Sequence, residues 1–439
     1  MHLLKWLYPG MRFKRWLLLF AAGVLLTSIG LTIVFNYKYI DGVEEFIFRI
    51  VYTATGTYNY MVTNIVGFFV SFIGLMIMLI AMRMTIRSII TVLLPDSSEK
   101  LVDLIYEKRK LDRGPAITVI GGGTGLSVLL RGLKEVTNNV TAVVTVADDG
   151  GSSGRLRSEF GIIPPGDLRN CLVALADTEP LMEKLFQYRF AGKSELAGHS
   201  FGNLFIAAMT QVTGDVEKAL MESSKVLAVK GRVFPASTAK IRLDATMQDG
   251  TVVQGESQIP LVHKKIKRVH IFPRVVEPVP SAINAIKDAE AIILGPGSLY
   301  TSIMPNLLVN GVAETIKRSK AVKIYICNVM TQPGETDGYT VSMHVKAILE
   351  HAGIGSVDYV LANNKPISPP LQDFYAKKGQ YPVVIDEDEI HALGVGFVKA
   401  DIINETNVIH HDSEKLAHNI MQMVYGLKTD TKRRKKRSR

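Results

Sequence analysis

Ile117-Thr118-Val119-Ile120-Gly121-Gly122-Gly123-Thr124-Gly125-Leu126 is the stretch that decides the fold. Its β-branched run reads as a buried strand, and the apolar spacing from Leu126 to Leu133 is that of a helix. Glycines between them let another backbone come close, and the helix N-terminus presents free N–H groups that favour an anion. The following run, Thr141 to Val146, reads as a second buried strand, so the chain opens as a βαβ unit and the sheet is expected to be parallel. Ala291–Leu294, Lys323–Ile326 and Tyr359–Leu361 are further buried-strand candidates separated by helical patterns. Together they predict one doubly wound α/β fold from Ala116 to about His418, with ligands at the carboxyl ends of the strands.

Between these halves the pattern changes. Lys240–Thr246 and Thr251–Gly255 flank Asp249-Gly250, a dipeptide suited to a hairpin turn, so a small β insertion is placed at 232–274.

Two apolar stretches precede the sheet, Trp16 to Phe35 and Met61 to Met82, each about the ~20 residues a helix needs to cross hydrocarbon. No cleavage motif follows the first, and the second comes soon after, so a retained membrane anchor at 1–95 is expected rather than a leader peptide. Lys5, Arg12, Lys14 and Arg15 lie before the first span and Arg83 and Arg87 after the second, which puts both ends in the cytoplasm. The connecting segment includes the aromatic-rich run Phe46 to Tyr52, suited either to the membrane interface or to a plain hydrophobic loop. A charge-mixed linker at 96–115 leads to the large domain at 116–425.

The formal net charge of +10 is concentrated in the tail at 426–439, where Lys432 to Arg439 holds seven basic residues. That tail suits anionic lipid headgroups, RNA, or a solvated disordered segment. Cys171 and Cys327 are the two cysteines; far apart and outside any CxxC or Cys/His spacing, they suggest neither a disulfide framework nor a zinc site and fit a reducing compartment.

Further loops carry candidate chemistry. The Gly121–Gly125 loop lacks the full dinucleotide fingerprint, because Leu126 stands at its last glycine position, and no Gly-Lys-Ser/Thr makes it a Walker loop. Asp148-Asp149 ends the second strand, followed by Gly150-Gly151-Ser152-Ser153-Gly154-Arg155, a pattern that accepts a ribose hydroxyl or holds Mg²⁺ with phosphate oxygens. Asp167 reads as an N-cap that leaves Arg169 and Asn170 free. His199 and Asn203 stand near the start of another helix, where His199 is either a general acid–base or a structural hydrogen bonder. Gly295-Pro296-Gly297-Ser298 ends a buried strand and reads as a second anion site.

These motifs, in this order, resemble the CofD-like superfamily, and within it the YvcK branch, the gluconeogenesis factors, over Ala116 to Tyr425. The resemblance implies a Rossmann-like three-layer fold that binds UDP-sugars, notably UDP-N-acetylglucosamine, and supports cell shape and cell-wall supply in bacteria. No settled enzymatic activity comes with that branch, so a non-catalytic binding protein at the cell membrane is expected. The ligand-binding residues it implies are Gly121, Gly122, Gly123, Thr124, Gly125, Asp148, Gly151, Ser152, Ser153, Gly154, Asp167, Arg169, Asn170, His199, Asn203, Gly295, Gly297 and Ser298, with Tyr375 and His410 towards the C-terminus. The family pattern around His410-His411-Asp412 is Arg-His-Asp, so a permanent cation is replaced by an imidazole, with Arg155 and Arg169 available to compensate. The sister branch is a Mg²⁺-dependent 2-phospho-L-lactate transferase acting on a deazaflavin. On that alternative, Asp148 and Asp149 become the metal candidates, and Asp148, Asp149 and His199 the catalytic ones. Expected partners are the UDP-sugar, membrane lipids through the hairpin and tail, cell-wall synthesis proteins, and a second copy of the chain; nucleic acid is not expected.

Overall fold

The computed structural model describes residues 13–35, 49, 52–53, 56, 60–93, 106, 109–177, 180–406 and 408–437. The chain divides into two compact units, 1–107 and 108–439. Most of the aromatic-rich run Phe46 to Tyr52 and most of the 96–115 linker lie outside the described residues.

The first unit is a pair of packed helices, Phe13–Phe35 and Tyr60–Leu93. Their apolar windows, Arg15–Phe35 and Asn64–Ser88, have mean hydropathies of 2.4 and 2.7 and are long enough to cross a membrane. Small residues form the seam: a Cβ added at Gly30 would strike Ser71, one at Gly74 would strike Thr27, and one at Gly23 would lie 2.7 Å from Met78 Cγ. Such a seam lets two backbones approach closely where the outward faces are apolar, as with Leu18 at 70% and Phe68 at 63% exposure. The second helix runs past the expected end at Met82, because nothing in 83–93 breaks it before Pro95.

In the second unit the strands β1 (Ile117–Gly121), β2 (Val140–Val144), β3 (Arg232–Pro235), β7 (Ala291–Leu294), β8 (Val322–Ile326), β9 (Tyr359–Asn363) and β10 (Gly396–Ala400) form one sheet in the order β10-β9-β8-β7-β1-β2-β3. Every pairing is parallel. β1, β2 and β7 are buried along their whole length, as their unbroken apolar runs require. Helices flank the sheet in two sets. Gly123–Leu133 packs on Gly166–Leu175 and on the C-terminal helix Ser413–Arg437, while Pro280–Asp288 packs on Val312–Arg318. This is the expected α/β Rossmann-like architecture. Its first half winds outward through β2 and β3, and its second half starts again on the other side of β1 at β7. The switch point, where the loops leaving adjacent strands diverge, therefore lies between β1 and β7.

Three differences from the sequence reading have local causes. Arg232–Pro235 pairs in parallel with β2 and is an edge strand of the main sheet, so the insertion is the antiparallel set β4 (Arg242–Met247), β5 (Val252–Gln254) and β6 (Ile266–Phe272), with the turn at Asp249-Gly250 as expected. β10 and the two-stranded β11 (Ile403–Glu405) and β12 (Ile409–His411) were not anticipated, since they are short and only half-buried. The tail is not a separate segment from 426: the helix that Asp412 caps, through Glu414 and Lys415 N–H at 3.0 Å each, continues to Arg437. Both cysteines are buried and free.

That C-terminal helix docks on Gly123–Leu133 at Gly132, where any Cβ would collide with the carbonyl of Ser413. Gly132→Ala is expected to destabilise the second unit by about 1–3 kcal/mol despite the better helix propensity of alanine, read as a lower urea midpoint with unchanged m-value.

Candidate functional site

At the switch point the two glycine loops meet backbone to backbone. An added Cβ at Gly125 would lie 2.5 Å from Pro296 O, and one at Gly121 would lie 3.8 Å from Gly295 Cα. No side chain caps the helix that begins at Gly123. Its first N–H points to the carboxylate of Asp167, which leaves those of Thr124 and Gly125 beside a cavity of about 680 Å³. Asp167 is thus not the N-cap of its own helix, Gly166–Leu175; it sits in that helix's first turn and reaches across to the neighbouring one.

Of the residues singled out in the sequence, Gly123, Thr124, Gly125, Asp148, Asp167, Gly297, Ser298, Tyr375 and His410 line this cavity. Tyr375 also accepts the Ile409 N–H at 2.9 Å, which holds the β12 strand and His410 at the rim. Glu256, Thr145, Thr301, Ser302, Asn328, Gln332 and Gln380 line it too, and no local motif announces them, while His411 of the His410-His411-Asp412 pattern lines it beside His410. A depression of about 690 Å³ near Lys287 and Arg318 lies between surface helices and contains none of the glycine loops.

The remaining residues form the support. Arg169 donates to Ser200 Oγ, to Asn203 Oδ1 at 3.0 Å and to Asn170 Oδ1 at 2.7 Å. Asn203 Nδ2 donates to Ser152 Oγ at 3.1 Å, and the Ser152 hydroxyl meets His199 Nδ1 at 3.0 Å. Ser152 Oγ thus bridges the Asn203 amide and the His199 ring. Burial, with Arg155 nearby, keeps His199 below the usual histidine range, and the ring is 4% exposed. It is therefore a structural hydrogen bonder. Ser153 Oγ accepts the Gly166 N–H at 3.2 Å, and Gly151 and Gly154 belong to the helix carrying Ser152. Gly121 and Gly122 sit beneath the first loop, with the Gly121 carbonyl taken by Asn306 at 3.1 Å, and Gly295 turns the second at φ +81°.

The acidic pair is split. Asp149 accepts the N–H groups of Glu256 at 3.0 Å and Ser257 at 2.9 Å, tying the insertion to the end of β2, whereas Asp148 faces the cavity. Among the described residues no three carboxylates, histidines or cysteines gather as a metal cluster. Asp149 accepts two backbone donors, so Asp148 is the member of the pair that faces the cavity. The second glycine loop has an acid of its own: the buried Glu335 carboxyl lies by the Tyr300 and Thr301 N–H groups, accepts from Thr301 Oγ1 at 3.2 Å through Oε1, and leaves Oε2 without a partner. Ser298 Oγ accepts from Gln332 Nε2 at 2.7 Å, which leaves its own proton for a ligand.

The cavity lining contains carboxylates and amides but no lysine or arginine. Neither Arg155, which donates to Ala197 O at 2.8 Å, nor Arg169 takes the place of a cation at position 410. Burial pushes Asp167 up to about 6, with Asp148 adding to it and the Gly123 N–H opposing. Burial pushes Glu335 to about 7. His411 is pushed down to about 4 by burial, and its Nδ1 has no partner.

Residues 117–403 match the family model for 2-phospho-L-lactate transferase CofD. The chain belongs to the CofD-like family. Its relatives place it among the gluconeogenesis factors, the YvcK-type branch. It is 53% identical to the "Gluconeogenesis factor" of Halalkalibacterium halodurans over 70% of this chain and 95% of that protein. It is 51% identical to the protein of that name in Bacillus subtilis over 71% of this chain and 98% of the other. A Nostoc sp. relative whose name includes the same two words is 48% identical over 96% of this chain and 92% of its own length, so that alignment takes in the helical hairpin. A crystal structure of a Bacillus halodurans protein superposes with a TM-score of 0.69 at 53% identity, over 70% of this chain and all of the other.

Asp149→Asn keeps one acceptor and loses the charge that holds two backbone donors. It is expected to cost about 2 kcal/mol and to raise amide exchange at Glu256 and Ser257 selectively; uniform protection there would remove Asp149 as the tie.

Proposed function

We propose that this chain is a membrane-anchored binding protein for a UDP-sugar, with UDP-N-acetylglucosamine as its reference ligand, that links carbon metabolism to cell-wall synthesis and cell shape. The observation that carries this reading is the cavity between β1 and β7, where Thr124 and Gly125 N–H and the Ser298 hydroxyl supply donors for a diphosphate. Asp148, Asn328, Gln332 and Gln380 supply the hydrogen-bonding groups that a ribose and a hydroxyl-rich sugar need. A volume of about 680 Å³ suits a ligand of that size. The name of the relatives supports a role in gluconeogenic growth, and a sugar nucleotide used for the wall connects that role to cell shape.

A binding role without turnover agrees with the site chemistry: His199 is walled off beneath the loops, and Asp149 is engaged by the insertion. Titration calorimetry is expected to show saturable binding of intact UDP-N-acetylglucosamine, of equal affinity with and without Mg²⁺. Formation of a Mg²⁺-dependent product from a deazaflavin and an activated phospholactate would overturn the reading in favour of a transferase.

The two apolar helices support the anchor, and the cations that flank the hairpin support a second unit on the cytoplasmic side. The full chain is expected to stay with the membrane through alkaline carbonate extraction, and a chain lacking residues 1–95 to appear in the soluble fraction. A full chain released by carbonate would rule out a spanning hairpin.

A further inference from the structure

The loop after β8 meets the second glycine loop through one side chain. Gln332 donates from Nε2 to Ser298 Oγ at 2.7 Å and accepts at Oε1 from Asn328 Nδ2 at 3.2 Å. All three residues line the cavity between β1 and β7. Their bonds run in one direction, from the Asn328 amide to the Gln332 amide to the serine hydroxyl.

The backbone fixes the middle member. The Gln332 N–H donates to Thr336 Oγ1 at 2.9 Å, and the Gln332 carbonyl accepts from the Glu335 and Thr336 N–H groups at 3.0 and 2.9 Å. Thr336 itself is fully buried. Beside Gln332, the Thr331 N–H donates to the Tyr381 carbonyl at 2.7 Å, and the Thr331 hydroxyl accepts the Tyr381 N–H at 3.0 Å. At the far end, the Ser298 carbonyl accepts the Ser302 and Ile303 N–H groups at 3.0 and 3.1 Å, so what Ser298 offers the cavity is its hydroxyl.

A hydroxyl has one proton, whereas a primary amide has a donor end and an acceptor end. With the Gln332 nitrogen towards Ser298, the hydroxyl proton stays available to a ligand. With the oxygen towards it, that proton would be spent on the amide and the serine would present only lone pairs. Asn328 decides between the two by donating to the Gln332 oxygen.

We propose that Gln332 is a positioning residue that keeps the Ser298 hydroxyl proton for a phosphate oxygen of the ligand, and that Asn328 holds Gln332 in the orientation this needs. The inference rests on the reading of the ligand as a nucleotide sugar and specifies how one donor to its diphosphate is aimed in a cavity lined by no lysine or arginine. An anionic oxygen accepts and does not donate, so the opposite orientation turns a hydrogen bond into a meeting of lone pairs.

The test is a double-mutant cycle on the full chain in detergent, read by calorimetric titration at neutral pH with UDP-N-acetylglucosamine and with UDP. Ser298→Ala removes the donor and is expected to weaken both ligands at least about tenfold, the scale of a hydrogen bond to a charged group. Gln332→Glu keeps the side-chain shape and still accepts from Asn328, but it takes the Ser298 proton; it is expected to weaken binding by at least as much. In the Ser298→Ala chain the same change is expected to alter affinity by less than about threefold, because no hydroxyl proton remains to be taken. A larger further loss there assigns the effect to the added negative charge and overturns the role of Gln332. Wild-type affinity in Ser298→Ala or in Gln332→Glu overturns it too, and each of these results leaves the UDP-sugar reading standing. If Gln332→Glu fails to fold, Gln332→Met replaces it in the cycle and is expected to weaken the wild type more than the Ser298→Ala chain; equal losses in the two overturn the role. The expected cycle with UDP, without binding of the sugar nucleotide, supports Gln332 and overturns the UDP-sugar reading. Wild type that binds neither ligand overturns both.

Discussion

The site depends on one close contact, the backbone of Gly125 against the carbonyl of Pro296 where β1 and β7 end side by side. Only glycine permits it, because the Cβ position is already filled by the neighbouring loop. The contact follows from strand order. β1 is central, its neighbours on either side come from different halves of the chain, and their exit loops part at this point. The cavity is the space that parting opens, floored by Gly123–Gly125 and walled by the turn after Gly297.

What fills the N-termini of the two loop helices separates this site from a simple phosphate cradle. The structure has put its own carboxylates there: Asp167 at Gly123 and Glu335 at Tyr300 and Thr301. Each is favoured by helix N–H groups and disfavoured by burial, and burial is the larger effect for both. A diphosphate entering such a site gains little from helix dipoles already answered by internal acids. It depends instead on individual donors, the Thr124 and Gly125 N–H groups and the Ser298 hydroxyl among them. This favours ligands with many hydrogen-bonding groups over bare phosphate.

Legibility from the sequence followed distance along the chain. The strands β1, β2, β7, β8 and β9, the glycine loops and the insertion's hairpin were readable, because each is announced within ten residues by apolar runs and turn residues. The division between cavity and support was not. Whether Asp149 faces a ligand is decided by Glu256 and Ser257, more than a hundred positions later. Whether the second glycine loop is open is decided by Glu335. Ser152, Arg169, His199 and Asn203 looked like ligand residues because polar groups near helix starts do so in any sequence; three dimensions turn them towards one another. Arg232–Pro235 reads as part of the insertion because four residues carry too little periodicity to tell an edge strand from a hairpin strand.

The hairpin and the second unit obey different physics, and the relatives differ in how much of the two they cover. The Halalkalibacterium and Bacillus proteins align over about the span of the second unit and close to their own full lengths, whereas the Nostoc alignment includes both units. Among the described residues the core cluster of the sheet begins at Ile117. The small-residue seam of the first unit, in turn, is closed between its own two helices. On the proposed reading the anchor acts through location. It changes where the bound and free forms are held, confining them near the membrane where a partner in wall synthesis meets them at raised local concentration.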